Sequence, residues 1–269
     1  MAKVKSEEES RHYWNTLAEA YEKYYIKVSL HVNTIILPLL SIDPSHTVAE
    51  CGCGTGTGIQ LLFHYYPTLS KILANDLSDQ MIQIAQSKNF PNTELRICNN
   101  ENLPYDSESC DRYVSNLSLH FVEHPENMLK EAYRVLKIGG IAVLTVWGKP
   151  SENNILKVMA SASIKAGVEI PKERSPFYLN DQELLNGLVR GAGFNNVRSF
   201  YGSVPVLMNT ADQFLQLVDS REDIINLKRD NGEVYERMMN DLRENFDRIF
   251  GSGGFLTFEF LAVVGEKTS

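Results

Sequence analysis

Val48-Ala49-Glu50-Cys51-Gly52-Cys53-Gly54-Thr55-Gly56-Thr57-Gly58 runs a short apolar stretch into four glycines at alternate positions, and Ile59-Gln60-Leu61-Leu62-Phe63 follows with helical spacing. The pattern predicts a strand, a glycine turn and a helix start. Glycine at every second position removes side chains, so a ligand can lie directly against main chain. The helix N-terminus behind the turn offers unpaired N–H groups and the positive end of a dipole, which favour a carboxylate or phosphate. The dinucleotide spacing G-x-G-x-x-G is absent, because the third glycine would fall on Thr57, Ile59 or Leu61. The spacing is acidic-x-G-x-G-x-G, with Glu50 at the strand end. Taken alone, it suits a tight strand-to-helix connection as well as a ligand shelf.

Lys71-Ile72-Leu73-Ala74-Asn75-Asp76 reads as a second strand ending in an acid. Open α/β sheets bind ligands outside the carboxyl ends of their strands, so Asp76 falls where a ribose would sit. An ionised carboxylate there accepts hydrogen bonds from both ribose hydroxyls. The same acid also suits a plain helix start, with Ser78 as N-cap.

Taken in order, these segments resemble the class I S-adenosylmethionine-dependent methyltransferases, the small-molecule, ubiquinone/menaquinone-biosynthesis-like group in particular. Glu50 to Gly56 resembles the first motif. Ser78-Asp79-Gln80-Met81-Ile82 matches the usual helix start. Asn99-Asn100-Glu101-Asn102-Leu103-Pro104-Tyr105 resembles the adenine-binding segment G-D-A-E-x-L-P-F, with Asn99 in place of Asp and Asn100 in place of Ala. Arg134 to Gly140 resembles the R-V-L-K-P-G-G turn, with Ile138 in place of Pro, and Tyr13 to Tyr21 resembles the W-x-x-x-A-x-x-Y leader. The resemblance implies S-adenosyl-L-methionine as cofactor. It implies contacts from Glu50, Gly52, Gly54, Gly56, Asp76, Leu77, Met81, Asn99, Asn100, Glu101 and Asn116, with Tyr13 and Tyr21 on a lid. The aromatic stripe of that leader equally suits core packing. Asn99 can still accept from the adenine amine, but without charge.

The implied fold is α/β: a Rossmann-like, seven-stranded, mostly parallel sheet with an antiparallel last strand, an N-terminal helical lid and a helical insert before that strand. Periodicity predicts helices over 11–25, 30–40, 58–66, 125–136 and 151–167, the last ending before Pro171. A further helix is capped by Asn180 with Glu183 completing a capping box. Strands are expected over 141–147, 192–207 and 255–264, and residues 1–10 are expected to be disordered. The division is 1–43 as lid, 44–209 with 251–269 as core, and 210–250 as a long insert. Its apolar stripe suits a cap over the substrate or a dimer surface.

Leu117 to Val122 is the loop where this family lines its methyl-transfer site, and His120 is the candidate base there, since imidazole titrates near neutrality. A role in shaping the pocket fits His120 as well, and His124 reads as structural. The tetrapeptide N/D-P-P-Y/F/W associated with nitrogen methylation is absent. The acceptor expected is a small, partly apolar molecule; protein or RNA methylation, or binding without turnover, are the alternatives.

Composition bounds the rest. With 26 basic against 34 acidic residues, a net charge of −8 disfavours a nucleic-acid partner. Cys51, Cys53, Cys98 and Cys110 make no disulfide framework, and a C-x-C inside a glycine turn is a poor zinc site, so no metal is expected. The polar N-terminus has no apolar signal core, and no apolar run reaches the ~20 residues a membrane span needs. A cytoplasmic monomer or homodimer is expected.

Overall fold

The computed structural model describes residues 3–168, 173–207 and 210–268. Seven strands form one sheet: β1 (Thr47–Cys51), β2 (Lys71–Asp76), β3 (Thr93–Ile97), β4 (Cys110–Ser115), β5 (Leu136–Trp147), β6 (Asn195–Pro205) and β7 (Thr257–Glu266). Their order is β3-β2-β1-β4-β5-β7-β6. The pairings from β3 through β5 are parallel, and β7 runs antiparallel to both β5 and β6. The expected architecture is therefore present, and the strand order reverses beside β1. That crevice, at the carboxyl ends of β1 and β4, is where such sheets receive ligands.

Helices cover both faces: α1 (Glu7–Ala20), α2 (Ile26–Ile36), α3 (Thr57–Tyr65), α4 (Asp79–Ser87), α5 (Pro125–Val135), α6 (Asn154–Ala166) and α7 (Gln182–Gly191). Between β6 and β7 lie α8 (Ala211–Asp219), α9 (Glu222–Asp230) and α10 (Gly232–Gly251). The inner strands β1 and β2 are apolar and buried on both faces, as parallel strands between helical layers must be.

Several boundaries differ from the sequence reading. The first helix begins at Glu7, inside the stretch expected to be disordered, because Ser6 and Glu9 close a capping box and three glutamates occupy the first turn. No glycine or proline separates it from the next helix, and the two join through a π-helical turn at Tyr21–Tyr25. The second helix accordingly starts at Ile26 and tightens to a 3₁₀ turn at Leu37–Leu40. Asp181, one residue after the expected cap, accepts from the Leu184 amide, so Glu183 completes no box. The insert is three helices, broken at Ser220-Arg221 and again at Asn231, whose side chain caps α10. Pro171 and the boundary at 209 lie outside the described residues.

Phe214, Leu217, Val218, Met238, Leu242 and Phe246 of the insert are buried with Phe258 and Phe260 of β7 and Ile155 of α6. The insert's apolar stripe is thus consumed within this chain. Among the described residues no helix is long and apolar enough to cross a membrane.

Candidate active site

The four glycines after β1 divide between two tasks. Gly52, Gly54 and Gly56 all hold the left-handed conformation, with φ of 73°, 53° and 86°. A β-carbon at Gly54 would meet only the Tyr21 ring, 3.6 Å away, so this glycine forms the shelf beneath the lid. At Gly52 it would strike Ser118 Oγ at 2.5 Å. Gly56 is turned inward instead, where a β-carbon would stand 2.6 Å from the Phe90 ring. Gly58 is needed because Glu50 lies across it, its Oε1 filling the place a β-carbon would take.

Glu50 is buried and its Oε2 has no hydrogen-bond partner among the described residues. Burial, reinforced by the neighbouring Asp76 carboxylate, pushes its pKa up to about 8. Thr55 Oγ1 and Thr57 Oγ1, on the same loop, are also buried without partners. Buried polar atoms are ordinarily paired, so three without partners within residues 50–57 ask for an explanation.

Asp76 ends β2 as expected, and both of its oxygens already hold main chain. Oδ2 accepts from the Gly54 amide at 2.9 Å, and Oδ1 from the Ser78 amide at 2.9 Å. Ser78 does cap α4, accepting from the Met81 amide at 3.1 Å. Burial raises the Asp76 pKa, against the lowering effect of those two amides. Met81 is buried and Leu77 half-buried beside it.

The other residues named from the resemblance are held mostly by partners outside that set. Asn100 is buried, accepts from Asn75 Nδ2 at 2.7 Å and donates to Ser118 Oγ at 3.1 Å, which explains an amide where alanine is usual. Asn99 Oδ1 accepts from the Glu101 amide, and its Nδ2 donates to Glu7 Oε2, both at 2.9 Å. Glu101 Oε1 accepts from the Glu123 amide and so ties the β3 loop to the loop before α5. Asn116 donates to the Ser29 carbonyl and accepts from Thr145 Oγ1, joining the end of β4 to α2 and β5. Tyr21 lies inside, its hydroxyl 2.5 Å from Ser29 Oγ. Tyr13, by contrast, is 38% exposed, with Lys5 Nζ over its ring at 4.5 Å.

His120 is 2% exposed, and neither ring nitrogen has a hydrogen-bond partner among the described residues. Its ring centroid lies 4.1 Å from Phe121 and 5.4 Å from Trp147. Burial, with Arg174 nearby, lowers its pKa to about 3, so the imidazole is neutral at physiological pH. Leu117, three residues earlier, holds a left-handed φ of 53°, strain of the kind that collects at functional loops. Trp147 in turn meets the rings of Phe177 at 5.2 Å and Phe258 at 5.8 Å, and Trp14 of α1 stands edge-on to Phe121 at 5.1 Å. This aromatic group escaped the sequence reading because its members come from five separate segments. His124 is exposed and opens α5, its carbonyl accepting from the Asn127 amide.

Residues 49–144 match a family model described as a methyltransferase domain, over the same span as β1 to β5. Over β1 to β5 the chain is thus similar to the methyltransferases. A malonyl-[acyl-carrier protein] O-methyltransferase of a Marinomonas species is 32% identical over 144 residues, which is 52% of this chain and 52% of that protein. This chain thus spans about half the length of that relative. A demethylmenaquinone methyltransferase of Staphylococcus epidermidis is 22% identical, over 77% of this chain and 95% of its own length. Among solved structures, a Haemonchus contortus phosphoethanolamine N-methyltransferase holding S-adenosylhomocysteine superposes with a TM-score of 0.59 at 15% identity. That match covers 99% of this chain and 61% of the other. S-adenosylmethionine is the cofactor that the resemblance implies. The glycine shelf, the orphaned Glu50 oxygen and the Asp76 carboxylate suit its amino-acid and ribose portions. Among the described residues no group of three or more His, Cys, Asp or Glu side chains is placed to hold a metal ion.

Proposed function

We propose that this chain is an S-adenosylmethionine-dependent methyltransferase acting on a small, partly apolar acceptor held beside His120, Phe121 and Trp147, the last packed against Phe177 and Phe258. The observation that carries this reading is a buried, neutral imidazole with two free nitrogens inside an aromatic surround. The α1 lid supports it, since Trp14 closes against Phe121. His12 of α1 lies 3.9 Å from Glu222 of α9, so the first helix and the insert approach each other. The relative named for demethylmenaquinone supports an apolar acceptor. The one named for malonyl-[acyl-carrier protein] suggests a carrier-bound acid as the competing class.

In this reading S-adenosylmethionine rests on Gly52 and Gly54, with Glu50 toward its charged amino-acid end and Asp76 toward the ribose. Leu77, Met81, Asn99, Asn100, Glu101 and Asn116 shape the adenine side, and Tyr21 covers the shelf. When bound, the cofactor would supply an activated methyl group to the acceptor's lone pair, the C–S electron pair leaving with sulfur and the hydroxyl proton passing to solvent. The chain's own task is alignment. A neutral His120 accepts a hydrogen bond from an acceptor hydroxyl and orients its lone pair, but it is a weak proton acceptor. It positions more than it deprotonates. The four cysteines are free thiols, which supports work in a reducing cytoplasm.

Tritiated S-adenosylmethionine offered with metabolite, carrier-protein, RNA and whole-protein pools tests the reading. Label is expected in the metabolite pool, reduced about 10–100-fold by His120→Ala with cofactor affinity unchanged. Label confined to macromolecules would overturn the acceptor class.

A further inference from the structure

Resting on the cofactor reading above, we infer that Asn99 and Glu7 form a latch that holds α1 over the adenine end of the cofactor. The amide at position 99, where the family usually has a carboxylate, is required by this chain's own lid. The orientation of Asn99 is settled by its two partners. Oδ1 accepts from the Glu101 amide, so the Nδ2 donor is what faces the Glu7 carboxylate, at 2.9 Å. A flipped amide would set oxygen against oxygen and N–H against N–H. The other oxygen of Glu7 accepts from Arg11 Nη2 at 2.9 Å, and Arg11 Nη1 reaches Asp79 at 3.2 Å. One turn further, Asn15 Oδ1 accepts from Ser78 Oγ at 2.6 Å and from the Gln80 amide at 3.3 Å.

Glu7, Arg11 and Asn15 are spaced four apart and share one helix face. This stripe spans the two loops that carry Asp76 and Asn99, so the ribose and adenine ends are tied to the lid together. The hydrogen bond from Asn99, and then the hydrogen bond and the charge of Arg11, hold the Glu7 carboxyl below the usual carboxylate range, which agrees with a formed donor–acceptor pair. A carboxylate at 99 would face that of Glu7 at hydrogen-bond distance, where like charges repel. The family pattern alone predicts tighter cofactor binding from Asn99→Asp; the latch predicts the opposite.

The test is a cycle of Asn99→Asp, Glu7→Gln and the double variant. It is read by calorimetry with S-adenosylhomocysteine and by hydrogen exchange of the amides of residues 7–20. Asn99→Asp should weaken binding roughly three- to tenfold and speed exchange in α1, the range being modest because Glu7 is half-exposed. Adding Glu7→Gln should restore both readouts, since the new amide donates to the introduced carboxylate. Binding by Asn99→Asp equal to or tighter than wild type, or strictly additive effects in the double variant, would overturn the latch while leaving the cofactor site intact. A wild-type protein that fails to bind S-adenosylhomocysteine would overturn both.

Discussion

Asp76 carries a double load: the side chain read as a ribose ligand also clamps the amides of Gly54 and Ser78, and so shapes the shelf it serves. Its loss removes a charge-assisted acceptor and frees the glycine loop together. Asp76→Ala is expected to weaken S-adenosylmethionine binding by about 10–100-fold by calorimetry. Asp76→Asn keeps one of the two acceptors and should fall between alanine and wild type. Equal affinity in all three proteins would remove Asp76 from the site. Asn100 shows the reverse traffic, since a residue assigned to the ligand from the motif spends its amide on Asn75 and Ser118.

At the scale of elements, the three helices between β6 and β7 belong to the core of the molecule. Phe246 of α10 is 3% exposed and stacks on Phe250 at 4.1 Å and Phe214 at 5.7 Å. Phe246→Ala removes a large buried ring and should cost about 3–5 kcal/mol. The expected calorimetric trace is one unfolding transition moved downward as a whole. Two separate transitions, only one of them shifted, would show that residues 210–250 fold as an independent unit.

Across the whole molecule, two buried groups bend the pH dependence of stability in opposite directions. Glu50 titrates near 8 when folded against an ordinary 4.5, so its contribution is complete below about 4.5 and is lost as pH rises toward 8. His120 is lowered from 6.5 to about 3, so its contribution is complete above about 6.5 and is lost as pH falls toward 3. Between 4.5 and 6.5 the two slopes offset each other. The ligand-free protein should therefore show a plateau of melting temperature there, with a decline on either side. Two further carboxylates steepen the acid decline: Glu131, lowered by Arg134, and Asp111, which the Thr47 amide and Lys137 hold low against the raising effect of burial. Glu50→Gln should raise the melting temperature at pH 8 by on the order of 5 °C, and His120→Asn should soften the acid limb. An alkaline limb unchanged by Glu50→Gln would show that this carboxyl titrates elsewhere.

Local pattern was enough for the sheet, the glycine shelf and the acid at the end of β2, because strand alternation, glycine spacing and strand-end position are properties of short segments. The start of α1 was legible too, in the Ser6–Glu9 capping box, yet polarity made that stretch look disordered. What no window of sequence contains is which distant groups meet. Glu7 reaches Asn99 across 92 positions and Ser29 meets Asn116 across 87. The rings joined to His120 through Phe121 and Trp147 come from five segments, and the insert's stripe finds its partners in β7 and α6. Those pairings are settled only when the chain closes on itself, because they depend on where long-range burial leaves each polar group rather than on the residue's own preference.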